Sequence, residues 1–281
     1  MSCCQTETCE CSRPHDQTAV QLIRSATIKV SFGDVTFLID PMLSPKGSFP
    51  GFPMTLNHEV RNPTCDLPMP VEEAMQADVV ILTHTHEDHW DETARRLLPK
   101  EKLIVVNNEQ SRQEVMAAGF TNVRVLQDGD VIHGVTLHPV AGQHGPDSFY
   151  ESDQIEMIKM LGETIGVVLE KPGFAPVYVA GDTVWRPAVT QAIRHYHPEV
   201  IVLNTGAAMS SVIDGSIIME SHDFLHAYQE APWAKVVAVH MDAVNHCTLH
   251  RADLRQYRDY MKMDAKRALI PEDGEVMVFA A

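Results

Sequence analysis

Three imidazoles and two carboxylates crowd into seven residues, Thr83-His84-Thr85-His86-Glu87-Asp88-His89. Helix or strand amphipathicity does not space five solvated groups this way; a metal site does. His84 and His86 stand two apart, so on an extended segment their side chains leave one face and converge on a single ion. Asp88 and His89 follow after the chain has turned and can reach a second ion beside the first. Neutral imidazole and carboxylate suit zinc, and also iron or manganese. The run holds no thiolate, which argues against a purely structural zinc site.

The elements that must position this cluster can be read around it. Residues 77–82, Ala-Asp-Val-Val-Ile-Leu, read as a buried strand whose end delivers the cluster to a sheet edge. Three more candidates arrive in the same way. His144 follows the strand-like stretch 135–140, Asp182 follows 177–181, and His240 ends 236–240. Each stands at the exit of a predicted strand, a rigid platform for a metal site. Upstream, 26–30 and 35–39 joined through Phe32-Gly33-Asp34 read as an opening hairpin. Helices are expected over 91–98, 109–118, 187–195 and 251–261, alternating with strands near 102–106, 122–126 and 199–203. That alternation predicts a mixed α/β fold.

From about Ser25 to the C-terminus the chain resembles the metallo-β-lactamase superfamily, on the HxHxDH run followed in order by His144, Asp182 and His240. The resemblance implies an αββα four-layer sandwich, two mixed β-sheets face to face with helices outside and two divalent metal ions at one edge. Carried over by position, His84, His86 and His144 would hold one metal. Asp88, His89 and His240 would hold the other, with Asp182 bridging. Asp40-Pro41, Gly181-Asp182-Thr183 and Val239-His240-Met241-Asp242 look closest to the branch containing ascorbate-6-phosphate lactonase and N-acylphosphatidylethanolamine phospholipase D.

The chemistry expected of such a site is hydrolysis. Two cations about 3.5–4 Å apart can hold a bridging hydroxide at neutral pH, polarise the attacked oxygen and stabilise the leaving alkoxide. Asp88 would orient the hydroxide and Asp182 would fix the metal separation. His222 is expected as a catalytic proton donor or substrate clamp, a role that His246 could also fill. Asp40 and Asp242 are candidates to support the metal-bound imidazoles. A small carboxylic ester or lactone leads as substrate, ahead of a phosphodiester of nucleotide or phospholipid type. Zinc leads as the metal, with manganese or iron as alternatives. A mononuclear iron dioxygenase is the second alternative, since it can use a similar histidine set. Flavodiiron oxidoreductases fit less well, because they typically carry Glu where this chain has His86.

Composition bounds the rest. At 281 residues and 44% hydrophobic, the chain can bury a core of this size as one domain. The expected division is a Cys-rich leader over 1–24 and a hydrolase domain over 25–281. A net charge of −16 without a basic cluster makes nucleic acid a poor partner and favours a small-molecule substrate. No apolar run of about 18 residues is present, so no membrane insertion is expected. With no signal-like N-terminus, the expected location is cytoplasmic. Self-association is left open. Cys3, Cys4, Cys9 and Cys11 could form a soft-metal or redox tail, although their spacing departs from zinc-knuckle patterns. Cys65 and Cys247 are expected as reduced thiols. Two segments could shape a pocket: the Pro- and Gly-rich stretch 41–70, and residues 145–162, read either as a helix packed on the core or as a lid.

Overall fold

Strands that are apolar on both faces need cover on both sides, and this chain supplies it. The computed structural model describes residues 17–151, 155–212 and 214–280. Strands β1 (Thr18–Arg24), β2 (Thr27–Phe32), β3 (Val35–Ile39), β4 (Val79–Leu82), β5 (Leu103–Val106) and β6 (Val123–Val125) build the first sheet. Strands β7 (Asp130–Ile132), β8 (Val135–Ala141), β9 (Ile165–Glu170), β10 (Val177–Val179), β11 (Val200–Asn204), β12 (Lys235–Val239) and β13 (Ala268–Leu269) build the second. The last strand, β14 (Val276–Phe279), returns to the first sheet beside β1. Among the described residues each sheet therefore has seven strands, ordered β14-β1-β2-β3-β4-β5-β6 and β13-β12-β11-β10-β9-β8-β7.

Both sheets change from antiparallel to parallel pairing partway across. The pairs β1–β2 and β2–β3 are antiparallel, whereas β3–β4, β4–β5 and β5–β6 are parallel. In the second sheet β7–β8, β8–β9 and β9–β10 are antiparallel, and β10 to β13 run parallel. The two halves thus repeat one plan, a symmetry too faint in the sequence to read there.

Alternation along each strand assigns the layers. Val79 and Ile81 of β4 join Ile28, Phe37, Leu137, Val167, Val179 and Val202 in the core between the sheets. Val80 and Leu82, on the opposite face, pack with Trp90 just before α2 (Glu92–Leu97), with Ala94 of that helix and with Val115 of α3 (Glu109–Ala117). The outer face of the second sheet is covered by α6 (Pro187–Tyr196), α7 (Ser221–Glu230) and α8 (Arg251–Tyr260) through Val189, Ile193, Phe224 and Leu254. Four layers result, as the resemblance implied. Three short helices complete the set: α1 (Val71–Ala74), α4 (Asp147–Tyr150) and α5 (Ile155–Leu161).

The fold begins earlier than the expected boundary at residue 25. Thr18–Arg24 is β1 itself, hydrogen-bonded to β2 on one side and β14 on the other, with Val20 and Leu22 fully buried. The strand was hidden by Arg24, a charged residue at a buried position. Arg24 is buried because its guanidinium donates to the carbonyls of Met42, Ser44 and Cys65. The four cysteines of the N-terminal segment lie outside the described residues, while Cys65 and Cys247 are free thiols. No helix among the described residues is long and apolar enough to cross a membrane.

Candidate metal centre

The expected ligands all leave the sheets at one edge. Asp40 follows β3, the 83–89 cluster follows β4, His144 follows β8, Asp182 follows β10 and His240 follows β12. Asn204, the last residue of β11, joins them. Asp40 and His240 turn the chain at left-handed φ values of 51° and 62°, a conformation that costs a non-glycine residue free energy and tends to cluster at functional sites. Gly181 and Gly206 allow the backbones to come this close: a Cβ on Gly181 would strike the Ile165 carbonyl, and one on Gly206 would strike the His240 carbonyl and Cys247 Sγ.

Two triads of ligand atoms form, His84/His86/His144 and Asp88/His89/His240, each with its donor atoms within 4.8 Å of one another. His84 Nε2 lies 3.0 Å from His86 Nδ1. His89 Nε2 lies 3.1 Å from His240 Nε2, and Asp88 Oδ2 is 3.4 Å from the same His240 nitrogen. Asp182 stands between the triads. Its Oδ2 is 3.1 Å from His89 Nε2, 3.7 Å from His144 Nε2 and 3.9 Å from His84 Nε2, while Oδ1 is 3.6 Å from His240 Nε2. Asn204 Nδ2 donates to Oδ1 at 2.6 Å and holds the carboxylate in place.

Hydrogen bonds on the far side of the rings select their tautomers. His89 Nδ1 donates to Asp40 Oδ2 at 2.8 Å, leaving Nε2 to face the cluster. His84 Nδ1 donates to Thr83 Oγ1 at 3.1 Å, and that hydroxyl donates onward to Asp40 Oδ2 at 2.6 Å. One carboxylate therefore orients an imidazole of each triad. His86 Nε2 donates to the Met160 carbonyl at 3.1 Å, which turns Nδ1 inward. His240 Nδ1 lies 3.4 Å from Cys247 Sγ and 3.5 Å from Ser25 Oγ.

The two triads differ in their electrostatics. Burial, then the neighbouring imidazoles His89, His86 and His144, push His84 well below the ordinary histidine range. Burial followed by His144 takes His86 down to about 4. In the other triad burial also works against charge, but Asp182, Asp40 and Asp88 override it and raise His89 to about 10. His240 is raised in the same way, chiefly by Asp182. Burial alone would lift Asp88 and Asp182; His89 and His240 hold both carboxyls well below the carboxylate range. His144, only 1% exposed, has no hydrogen-bond partner on either ring nitrogen. Buried donors with no protein partner, converging with carboxylates, fit divalent cations.

His222 does not belong to this centre. It sits on the first turn of α7 with its side chain 66% exposed and its ring nitrogens toward Glu220 and Asp223. Asp242 is also elsewhere: it binds His250 Nδ1 and Arg251 at the start of α8. Asp40 is the carboxylate that supports the ligands. His246, the other histidine candidate, does reach the site. It lines a cavity of about 140 Å³ above the ligands, and its Nδ1 is buried without a partner. Burial lowers it to about 4, so the ring is neutral at pH 7.

Asp88, Asp182, His86 and His144 face this cavity, and Phe52, Pro53, Met54, Leu161 and Ile217 make its apolar walls. The segments 41–70 and 145–162 thus both shape the pocket. The second carries α4 and α5, with Leu161 at the wall and the Met160 carbonyl on His86. No Lys or Arg lines the cavity among the described residues. Sequence reasoning missed Asn204 and the Met160 carbonyl. Asn204 carried a usable signal, a polar tip on an apolar strand; a main-chain carbonyl carries none.

Known proteins share this architecture. Residues 36–241 match the Beta-lactamase superfamily domain family. UPF0173 protein YddR of Bacillus subtilis (strain 168) is 40% identical over 258 residues, covering 92% of this chain and 98% of that protein. The crystal structure of an isothiocyanate hydrolase from Delia radicum gut bacteria is similar with a TM-score of 0.89 and 39% identity, covering 94% of this chain and all of the other. A possible metal-dependent hydrolase from Veillonella parvula DSM 2008 is similar with a TM-score of 0.90 and 37% identity, over 93% of this chain and 99% of its own. The chain belongs to the metallo-β-lactamase superfamily, as a metal-dependent hydrolase of the UPF0173 family.

Proposed function

We propose that this chain hydrolyses small, uncharged, largely apolar electrophiles at a two-metal centre, with organic isothiocyanates as the first substrate class. The observation that carries this reading is the cavity itself. Metal-ligand side chains form its floor, Phe52, Pro53, Met54, Leu161 and Ile217 make most of its wall beside Thr55, Ser210 and Glu87, and no cationic side chain lines it. An isothiocyanate needs no charge partner, and a relative 39% identical over 94% of this chain is an isothiocyanate hydrolase. A small carboxylic ester or lactone is the second reading, because it presents the same kind of electrophilic carbon in an uncharged frame. A phosphodiester, or the phosphorylated lactone of the ascorbate-6-phosphate branch, would bring its anion into walls without a Lys or Arg.

His84, His86 and His144 would hold one divalent cation and Asp88, His89 and His240 another, zinc first among the candidates, and such ions would supply an activated water at neutral pH and a Lewis acid. The chain's own residues do the rest. Asp182 and Asp88, ionised and buried, fix the geometry of the floor. Phe52, Leu161 and Ile217 exclude bulk water and hold the organic group. Water adds across the N=C bond of R–N=C=S to give the thiocarbamic acid R–NH–C(=S)–OH. The C–N bond then breaks, nitrogen takes the hydroxyl proton, and R–NH2 and carbonyl sulfide leave. His246, neutral and edge-on to Phe52 at a centroid distance of 4.9 Å, offers one N–H to the charge that develops on sulfur or nitrogen.

The test is a panel of aliphatic isothiocyanates, lactones and phosphodiesters, offered to the zinc-loaded protein with the Asp182→Ala variant as control. Metal-dependent turnover of isothiocyanates supports the proposal. Turnover of lactones alone moves the substrate to the second reading, and turnover of phosphodiesters alone overturns the argument from walls without a cation.

A further inference from the structure

We propose that Asn245 is a positioning residue that sets the size of the cavity and therefore the size of substrate accepted. The wall residues Phe52 and Met54 lie in an irregular segment that makes no helix and no strand of a main sheet. Such a segment must be ordered by specific bonds, because its conformational entropy is otherwise unopposed. Most of those bonds converge on one side chain.

Asn245 is only 4% exposed, and every hydrogen-bonding valence of its amide is used. Its Oδ1 accepts from Phe52 N at 3.1 Å and from Asn62 Nδ2 at 2.8 Å. Its Nδ2 donates to Thr55 Oγ1 at 2.9 Å and to the Leu56 carbonyl at 2.8 Å. Its main chain is held as well: Asn245 N donates to Asn62 Oδ1 at 2.8 Å, and its carbonyl accepts from Asn57 Nδ2 at 3.2 Å. Asn62 also pairs with Phe49 through two backbone bonds of 2.8 and 2.9 Å, so the segment closes on itself at the point where Asn245 grips it.

No other side chain of this length offers two donors and two acceptors in this arrangement. Asp would keep the acceptors and set a carboxylate oxygen against the Leu56 carbonyl; Leu would keep the shape and lose all four bonds. Residues 54–56 have a second tie, since Ser211 N and Ser210 Oγ both donate to the Met54 carbonyl and Leu56 N donates to Met209 O. Phe52 is tied only through partners of Asn245 among the described hydrogen bonds: its N–H donates to Asn245 Oδ1, and its carbonyl accepts at 2.7 Å from Thr55 Oγ1, the hydroxyl that Asn245 Nδ2 itself holds. Loss of Asn245 therefore frees the Phe52 side of the wall while Met54 stays. His246, the next residue, touches Phe52 directly, so wall and donor move together.

The hydrogen bonds of Asn245 run to residues 52–62 and to no metal ligand, so its loss is expected to leave the metal bound, which separates a positioning role from a merely structural one. The test compares zinc-loaded wild type, Asn245→Leu and Asn245→Asp by zinc content, amide exchange over residues 49–62, and kcat and KM on a methyl-to-octyl isothiocyanate series. This last readout rests on the proposed substrate class; the exchange readout does not. Both variants are expected to hold wild-type zinc and to lose exchange protection at Phe52 by about tenfold or more. KM for the shortest substrates should rise about tenfold with little change in kcat, and the longest substrates should gain relative to the shortest. Unchanged protection at Phe52 overturns the proposal. So does a fall in kcat that is uniform across the series and accompanied by zinc loss. Absence of turnover on every isothiocyanate, with protection lost at Phe52, overturns the substrate class and leaves Asn245 as the bolt. If Asn245→Leu does not fold, Asn245→Asp decides alone.

Discussion

Replacing Asp40 with Asn removes one charge and almost no volume, yet should cost both triads metal affinity. Asp40 is 1% exposed and accepts three hydrogen bonds, from Thr83 N at 2.7 Å, Thr83 Oγ1 at 2.6 Å and His89 Nδ1 at 2.8 Å. Asn tolerates the left-handed φ of 51° at this position, so the backbone penalty does not grow. The new amide keeps Oδ1 for Thr83 N and presents Nδ2, a donor, where Oδ2 accepted. His89 must then turn an unprotonated Nδ1 toward it and carry its proton on Nε2, the nitrogen that faces Asp182 and His240. The Thr83 hydroxyl must likewise reverse, which takes the acceptor away from His84 Nδ1. A hydrogen bond to a charged group contributes about 1.5–3 kcal/mol. At about 1.4 kcal/mol per tenfold, its loss corresponds to roughly 10- to 100-fold weaker metal binding, the usual range for such supporting carboxylates. Chelator competition followed by mass spectrometry reads this directly, with circular dichroism to check the fold. Asp40→Asn binding metal as tightly as wild type would refute the claim that this carboxylate sets the tautomers.

Other outcomes follow from the same geometry. Asp182→Ala should abolish turnover and release at least one metal while the fold persists, as metal analysis beside circular dichroism would record. His246→Ala should slow hydrolysis by about 10²-fold with metal content intact, whereas His222→Ala should leave kcat unchanged; equal losses in the two would remove His246 from the active site. Metal binding should be proton-coupled. His89, raised to about 10, and His240, also raised, stabilise the metal-free fold fully below the ordinary histidine value near 6.5 and lose that contribution as pH rises toward 10. Asp88 and Asp182, depressed, contribute above the ordinary carboxylate value and lose that contribution only in stronger acid. A cation must displace the ring protons, so calorimetric affinity should climb with pH from about 6.5 to 10. A flat profile would contradict that coupling.

The strand ends were legible because polar residues follow the apolar positions of β4, β8, β10 and β12, and the series of those tips is the candidate metal centre. The opening hairpin and helices α2, α3, α6 and α8 were equally readable from period and caps. Thr18–Arg24 was not, since it ends on a charged Arg24 whose guanidinium is satisfied by carbonyls at 42, 44 and 65 and by Asp91, Asp273 and Asp66, all distant in sequence. His222 misled for the opposite reason. A histidine flanked by carboxylates looks chemical in one dimension, but its helix faces away from the cavity, while His246 owes its place to a turn after β12 that no periodicity announces. Asn245 was invisible for the same cause: its partners lie 183 to 193 residues away.

The most direct measurement is product analysis during metal titration of the chelated protein with allyl isothiocyanate as substrate. One amine and one carbonyl sulfide are expected per molecule consumed, at a rate that tracks metal content and saturates at two ions per chain. Consumption without amine, or full activity at one ion per chain, would contradict two-metal hydrolysis.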